Sequence, residues 1–310
     1  MIKLFTHTDF DGIGCAIVAK IYYGEDDVDV AYCDYNNINE KVKEYLLSDK
    51  YKINNLVYIT DIPVNKETAE YIDSIEGHNI RLIDHHLTND FLNKYYWAES
   101  TFEIDGEKTC ASSLFSYFLT KWTDGINISI AADLEKFTEL VRKYDTWLWK
   151  EVYNDITPKK WNDLLYLIGR DTFVSNTYDK IRTCDLRLLN NELELLKCKQ
   201  KEIDDYIYQK SKMIIEKDIL GYKAGVVFAE QYGSELGNTL AEMNPELDFI
   251  VIINAAKAIG YRTIRKDINL GKDVASKFFN GGGHPMAAGS ELPENFHNDI
   301  IDKLFNLKTL

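Results

Sequence analysis

The chain reads as a two-domain α/β protein: an N-terminal parallel sheet with helices on both faces, a long helical linker, and a smaller C-terminal α/β domain with a mixed sheet. Three observations predict this. Short apolar runs alternate with helix-like segments up to Glu99, a helical stretch with apolar residues every three or four positions follows, and a second alternating region ends in a glycine-rich turn. The boundaries fall at 1–185, 186–216 and 217–310.

In order, "IKLFT" leads into "DGIGCAIVAKIYYG", "VDVAYCDY" into "NINEKVKEYLLS", and "NLVYITD" is separated from "NIRLIDHH" by "NKETAEYIDSIE". Strands that alternate with helices build a parallel sheet, whose ligand chemistry sits at the carboxyl ends of the strands. "TCASSLFSYFLTKW", "AADLEKFTELVRKYDTWLW" and "PKKWNDLLYLIGR" are helical. From Leu186, Leu189, Leu193, Leu196, Ile203, Ile207 and Ile214 line one face of a long amphipathic helix, interrupted by Gln200 and Lys210. The runs around Ile250 and Arg262 predict a hairpin within the second sheet, and "GGGHPMAAG" closes it.

At 310 residues, with 45% apolar and 28% charged residues, the chain is that of a folded globular protein. Its formal net charge of −14 argues against a protein gripping a long nucleic-acid backbone, which presents many Lys and Arg to phosphates. A short or small anionic substrate fits, with bound divalent cations supplying local positive charge. The five cysteines, Cys15, Cys33, Cys110, Cys184 and Cys198, are odd in number and lack C-x-x-C spacing, so they read as reduced packing thiols. With no signal-like start and no membrane-length apolar run, a cytoplasmic location is expected.

The strand ends carry the chemistry. His7, Asp9 and Asp11 close the first strand, Asp61 the third, and Asp84, His85 and His86 the fourth. Parallel strands would bring all three ends to one rim, where unneutralised carboxylates would repel one another. Singly, Asp-Phe-Asp-Gly is an ordinary turn or helix N-cap, with Asp11 starting the next helix, and an Asp after a strand is an ordinary cap. Together they point to metal. Carboxylates mixed with imidazoles and no thiolates favour Mn²⁺, or Mg²⁺, Co²⁺ or Fe²⁺, over a structural zinc. The ligand number and the central place of Asp61 predict two divalent ions bridged by that carboxylate.

Asp84-His85-His86 resembles the defining tripeptide of the DHH phosphoesterase superfamily, and "GGGHPMAAG", Gly281 to Gly289, resembles the signature of the associated DHHA1 domain. "HTDFDGIGCAIVAK", "FTELVRKYDTW" and "YGSELGN" are similar to the nanoRNase B branch of oligoribonucleases, over nearly the whole chain. The resemblance implies one metal on His7, Asp9 and Asp61 and a second on Asp11, Asp61, His85 and Asp145; Asp145 follows from it alone. It also implies that Asp84 orients an imidazole and that His86 lies near the scissile phosphate. Gly281, Gly282 and Gly283 would offer backbone amides to a substrate phosphate, His284 a donor and Arg262 a fixed charge. Arg265, Ser234 and Asn238 are weaker candidates, and Trp147 and Trp149 are core aromatics or base-stacking surfaces.

The implied function is a two-metal phosphodiesterase that shortens very short single-stranded RNA from its 3′ end, releasing nucleoside 5′-monophosphates. The alternatives are a linear or cyclic dinucleotide phosphodiesterase, a 3′,5′-bisphosphate nucleotidase or, in another class, a nucleotide-binding protein without turnover. The complete set of candidate ligands opposes the last. No membrane or protein partner is implied, and a homodimer stays open.

Overall fold

The computed structural model describes residues 2–52 and 55–306. It divides into two compact units, Met1–Leu196 and Lys197–Leu310.

The first unit runs β1 (Ile2–Thr6), α1 (Phe10–Tyr23), β2 (Val28–Tyr32), α2 (Ile38–Leu47), β3 (Val57–Thr60), α3 (Lys66–Asp73), β4 (Ile80–Asp84) and β5 (Ala98–Ser100). A two-stranded hairpin follows, β6 (Glu103–Ile104) and β7 (Glu107–Lys108), then α4 (Ala111–Trp122), α5 (Ile128–Asp145), α6 (Leu148–Glu151), α7 (Thr157–Ile168) and α8 (Arg170–Arg182). The five-stranded sheet is parallel throughout, in the order β2-β1-β3-β4-β5. Strand order reverses between β1 and β3, and such a switch point opens a crevice at the carboxyl ends of its strands.

Period-two alternation seats the sheet. Leu4, Tyr58 and Ile83 face one core with α1, α4, α5, α7 and α8; Phe5, Val57, Ile59, Ile80 and Leu82 face the other with α2 and α3. Every residue of α1 from Phe10 to Ala19 is buried, because helices cover it on the side away from the sheet. A helix enclosed on all sides is apolar all round, which explains why "IGCAIVA" lacks an amphipathic stripe.

The expected linker helix is α9 (Asn190–Ser211), which spans the division between the units. Leu196 joins the first unit's core, and Ile203 and Ile207 that of the second. Leu189 lies before the helix and is exposed. At its start the buried Lys180 Nζ pairs with Glu192 Oε2 at 3.1 Å, while Glu192 accepts from the Leu189 amide.

The second unit continues with β8 (Ile215–Ile219), β9 (Tyr222–Phe228), α10 (Gly233–Met243), β10 (Phe249–Asn254), β11 (Ala258–Arg262), β12 (Gly282–Gly283), β13 (Ala287–Ser290) and α11 (Phe296–Phe305). Its sheet, ordered β12-β13-β11-β10-β9-β8, is mixed: β9 and β10 are parallel and the other pairs antiparallel. The hairpin expected around Ile250 and Arg262 pairs those two residues directly.

Candidate active site

The ends of β1, β3 and β4 meet on one rim, with Asp145 arriving from the last turn of α5. Three groups form there: His7 with Asp9 and Asp61; Asp11 with His85 and Asp145; and Asp61 with His85 and His86. Within each group the nitrogen and oxygen atoms lie within 4.8 Å of one another. Asp61 and His85 each belong to two groups, which makes one cluster of the three.

Each side chain is held from outside the cluster. Asp9 is the N-cap of α1, its Oδ1 accepting from the Gly12 amide at 3.0 Å while Oδ2 lies 2.8 Å from His7 Nδ1. The cap of α1 is thus Asp9 and not Asp11, and the capping role leaves Asp9 one oxygen for the site. Asp11, within the first turn and buried, accepts from the amides of Ala111 (2.6 Å) and Ser112 (2.9 Å) at the start of α4. A helix N-terminus favours a carboxylate there. Gly12 lets the chain turn tightly: a Cβ would stand 2.4 Å from the His7 carbonyl oxygen. Behind it the Thr60 hydroxyl donates to Thr6 Oγ1, and Thr6 in turn donates to the Gly12 carbonyl.

Asp61 leaves β3 with φ 58, a left-handed conformation that Asp tolerates better than most side chains. Its Oδ1 is 3.4 Å from His85 Nε2, which is also 3.7 Å from Asp11 Oδ2 and 3.5 Å from Asp145 Oδ2. Asp84 lies behind the cluster, wholly buried, accepting from His86 Nδ1 at 2.9 Å and from Asn89. It orients His86 rather than His85.

The electrostatics favour a positive charge at the centre of the cluster. Burial first, then the carboxylates of Asp11 and Asp9, drive Asp61 well above the usual range, and the same causes push Asp145 up to about 8. Two like charges 4 Å apart repel by about 4 kcal/mol at an effective dielectric of about 20, so the cluster cannot ionise fully by itself. Asp9 moves the other way: burial raises it, but His7, with hydrogen bonds from Asp61 and the Gly12 amide, brings it to about 2. His7 is raised by Asp9 and His86 by Asp84, whose own carboxyl is lowered by His86 and Asn89 against the effect of burial.

Among the described residues, Asp61 Oδ2 and both ring nitrogens of His85 are buried without a hydrogen-bond partner, and His7 Nδ1, also buried, has only the Asp9 carboxylate beside it. Buried polar atoms left in this state are costly. Several of them are nevertheless close to opposing ligand atoms, as expected of groups that converge on a third atom between them. Divalent cations therefore fit these residues, and the oxygen–imidazole donor set suits hard or borderline ions.

In the second unit, Arg262 is half-buried and extends over α10, its guanidinium donating to Ser234 Oγ (3.0 Å) and to the Tyr261 carbonyl (2.8 Å). Gly237 makes this passage possible, since a Cβ there would lie 2.6 Å from Arg262 Cγ. Arg265 is committed elsewhere, to Asp248 and Asp267. The Gly281 amide donates to the Phe278 carbonyl and the His284 amide to Ala287, so both are used within the chain. Gly281 also packs where a Cβ would stand 2.0 Å from the Ala275 carbonyl oxygen, whereas Gly282 faces open space. Of the residues that hold the cluster, Asn89 and the amides of Ala111 and Ser112 were not singled out in the sequence. An amide carries no residue-specific signal, and Asn89 reads as part of a polar turn.

Fold and cluster together agree with the metal-dependent phosphoesterase expected from the sequence. No family model matches the chain, but oligoribonuclease NrnB of Bacillus subtilis (strain 168) is 35% identical over 99% of this chain and 77% of its own length. The chain belongs to the NrnB family. Among solved structures, the pGpG-specific phosphodiesterase PggH from Vibrio cholerae superposes with a TM-score of 0.56 at 14% identity, covering 99% of this chain and 98% of that one. Exonuclease RecJ bound to manganese also gives 0.56, at 15% identity, covering 98% and 88%. At such identities the likeness is one of fold.

Proposed function

We propose that the protein is a two-metal phosphodiesterase that hydrolyses short oligoribonucleotides from the 3′ end, releasing nucleoside 5′-monophosphates. The observation that carries this is the convergence of four carboxylates and three imidazoles, with buried orphaned atoms, in a chain 35% identical to an oligoribonuclease over 99% of its length. His7, Asp9 and Asp61 would hold one ion, and Asp11, Asp61, His85 and Asp145 the other, with Mn²⁺ the ion that best suits this donor set. When bound, two such ions neutralise phosphoryl charge and activate water at neutral pH.

The chain's own residues do the rest. The α4 amides fix Asp11 and keep its oxygens turned toward His85. Asp84, accepting from Nδ1, fixes the His86 ring and favours its protonated form, so that Nε2 can donate to a phosphoryl or leaving oxygen. Arg262, with no carboxylate within ion-pair distance among the described residues, is the charge we assign to substrate phosphate, beside Gly282, Gly283 and His284. This function is compatible with the cytoplasmic location expected from the sequence. No helix among the described residues is long and apolar enough to cross a membrane.

The test is a time course of a 5′-labelled five-nucleotide RNA with Mn²⁺, beside a chelated control. A ladder shortening stepwise from the 3′ end is expected. An intact pentamer alongside hydrolysis of a cyclic dinucleotide or of adenosine 3′,5′-bisphosphate would move the assignment to those substrates.

A further inference from the structure

Tyr35 lies in the turn after β2, at the carboxyl end of the strand beside β1. The turn is fastened: the Asp34 carbonyl accepts from the amides of Asn37 and Ile38, and the Thr8 hydroxyl, next to His7, donates to Asp34 Oδ1 at 3.2 Å. This places the Tyr35 ring 5.4 Å from the His7 ring, tilted by 58°. The residue is nevertheless 57% exposed, so core packing does not account for an aromatic side chain there. The side chain thus stands at the edge of the cluster, against His7 and open to solvent. Trp147 and Tyr166 are also exposed, but among the described residues no ring contact ties either to a candidate ligand.

We infer that Tyr35 is a positioning residue, its ring being the surface on which the nucleoside beside the scissile phosphate packs. Every base has a π-face, so an aromatic platform holds RNA without regard to sequence. It also suits an acidic protein, because it contributes affinity without adding positive charge. This rests on the proposed RNA substrate.

The experiment compares wild type, Tyr35→Ala, Tyr35→Phe and Tyr35→Trp on a diribonucleotide and on the same compound with one base removed, with bound Mn²⁺ measured for each variant. Tyr35→Ala should raise KM for the diribonucleotide about tenfold or more, with little change in kcat and full metal content. Tyr35→Phe and Tyr35→Trp should restore KM, and for one of the two abasic compounds the effect of Tyr35→Ala should vanish. Unchanged KM in Tyr35→Ala would overturn the inference, and so would a Tyr35→Phe defect as large as that of Ala, which would assign the role to the hydroxyl. Loss of metal in Tyr35→Ala would reduce the residue to a prop for His7. A wild-type enzyme inactive on every RNA would instead remove the substrate reading itself, and Tyr35 with it.

Discussion

Asp61 concentrates the cost of the site in one residue. It is buried, surrounded by other carboxylates, and held at φ 58. Asn keeps the shape and tolerates that backbone while removing the charge. Asp61→Asn should therefore raise the melting temperature of the metal-free protein by about 2–4 °C or more, abolish its further rise with Mn²⁺, and eliminate hydrolysis. A lower metal-free melting temperature would show that the carboxylate stabilises the fold. Asp145 gives the pH dependence. Its carboxyl titrates near 8 in the folded chain against an ordinary 3.8, so the folded state holds a proton that the unfolded state releases. Stability of the metal-free protein should fall as pH rises across that window, and the gain from Mn²⁺, which must displace the proton, should grow. Melting curves at pH 5 to 8 with chelator or Mn²⁺ test this, and Asp145→Asn should flatten the metal-free slope. A gain from Mn²⁺ that is constant with pH would contradict it.

Elements determine how much of this could be seen in the sequence. Asp61 and Asp84 were legible because each directly follows a mainly apolar run, His7, Asp9 and Asp11 because they alternate just past another, and parallel strands must bring such ends together. Asp145 was not legible from pattern, since an acid at the end of an amphipathic helix is ordinary; only family resemblance singled it out. The partner of Asp11 was also hidden, lying at the start of α4, a hundred residues along the chain. Gly12 shows how closely β1 and α1 are joined. Gly12→Ala would press a methyl group against the His7 carbonyl, costing about 1–3 kcal/mol, and should lower both melting temperature and Mn²⁺ affinity by displacing His7. Unaltered metal affinity would mean that the β1–α1 turn does not set the ligand geometry. At the junction of α10 and β11, Gly237 and Ser234 hold Arg262 extended. Arg262→Ala should raise KM about ten- to a hundredfold, the loss of a charge-assisted hydrogen bond, with metal content intact. Loss of metal would place Arg262 outside substrate binding.

The charge of the whole molecule constrains how it can hold RNA. With a net charge of −14, the chain has no surplus of cations to lay along a backbone, and its carboxylates gather at the reacting centre instead of avoiding it. Binding must then come from bound ions, a few fixed donors such as Arg262, and stacking, rather than from many phosphate contacts. Each phosphate neutralised by a side chain steepens the salt dependence, by about 0.7 in log–log slope for a single strand. About two such contacts predict that KM for a five-nucleotide RNA rises less than about tenfold between 50 and 200 mM monovalent salt, and that the rise is much the same for a dinucleotide. The measurement is KM against salt at saturating Mn²⁺ for RNAs of two to ten nucleotides. A slope that steepened with each added nucleotide would reveal an extended cationic track, and the substrate would then be a long strand threaded through the protein instead of a fragment held at its end.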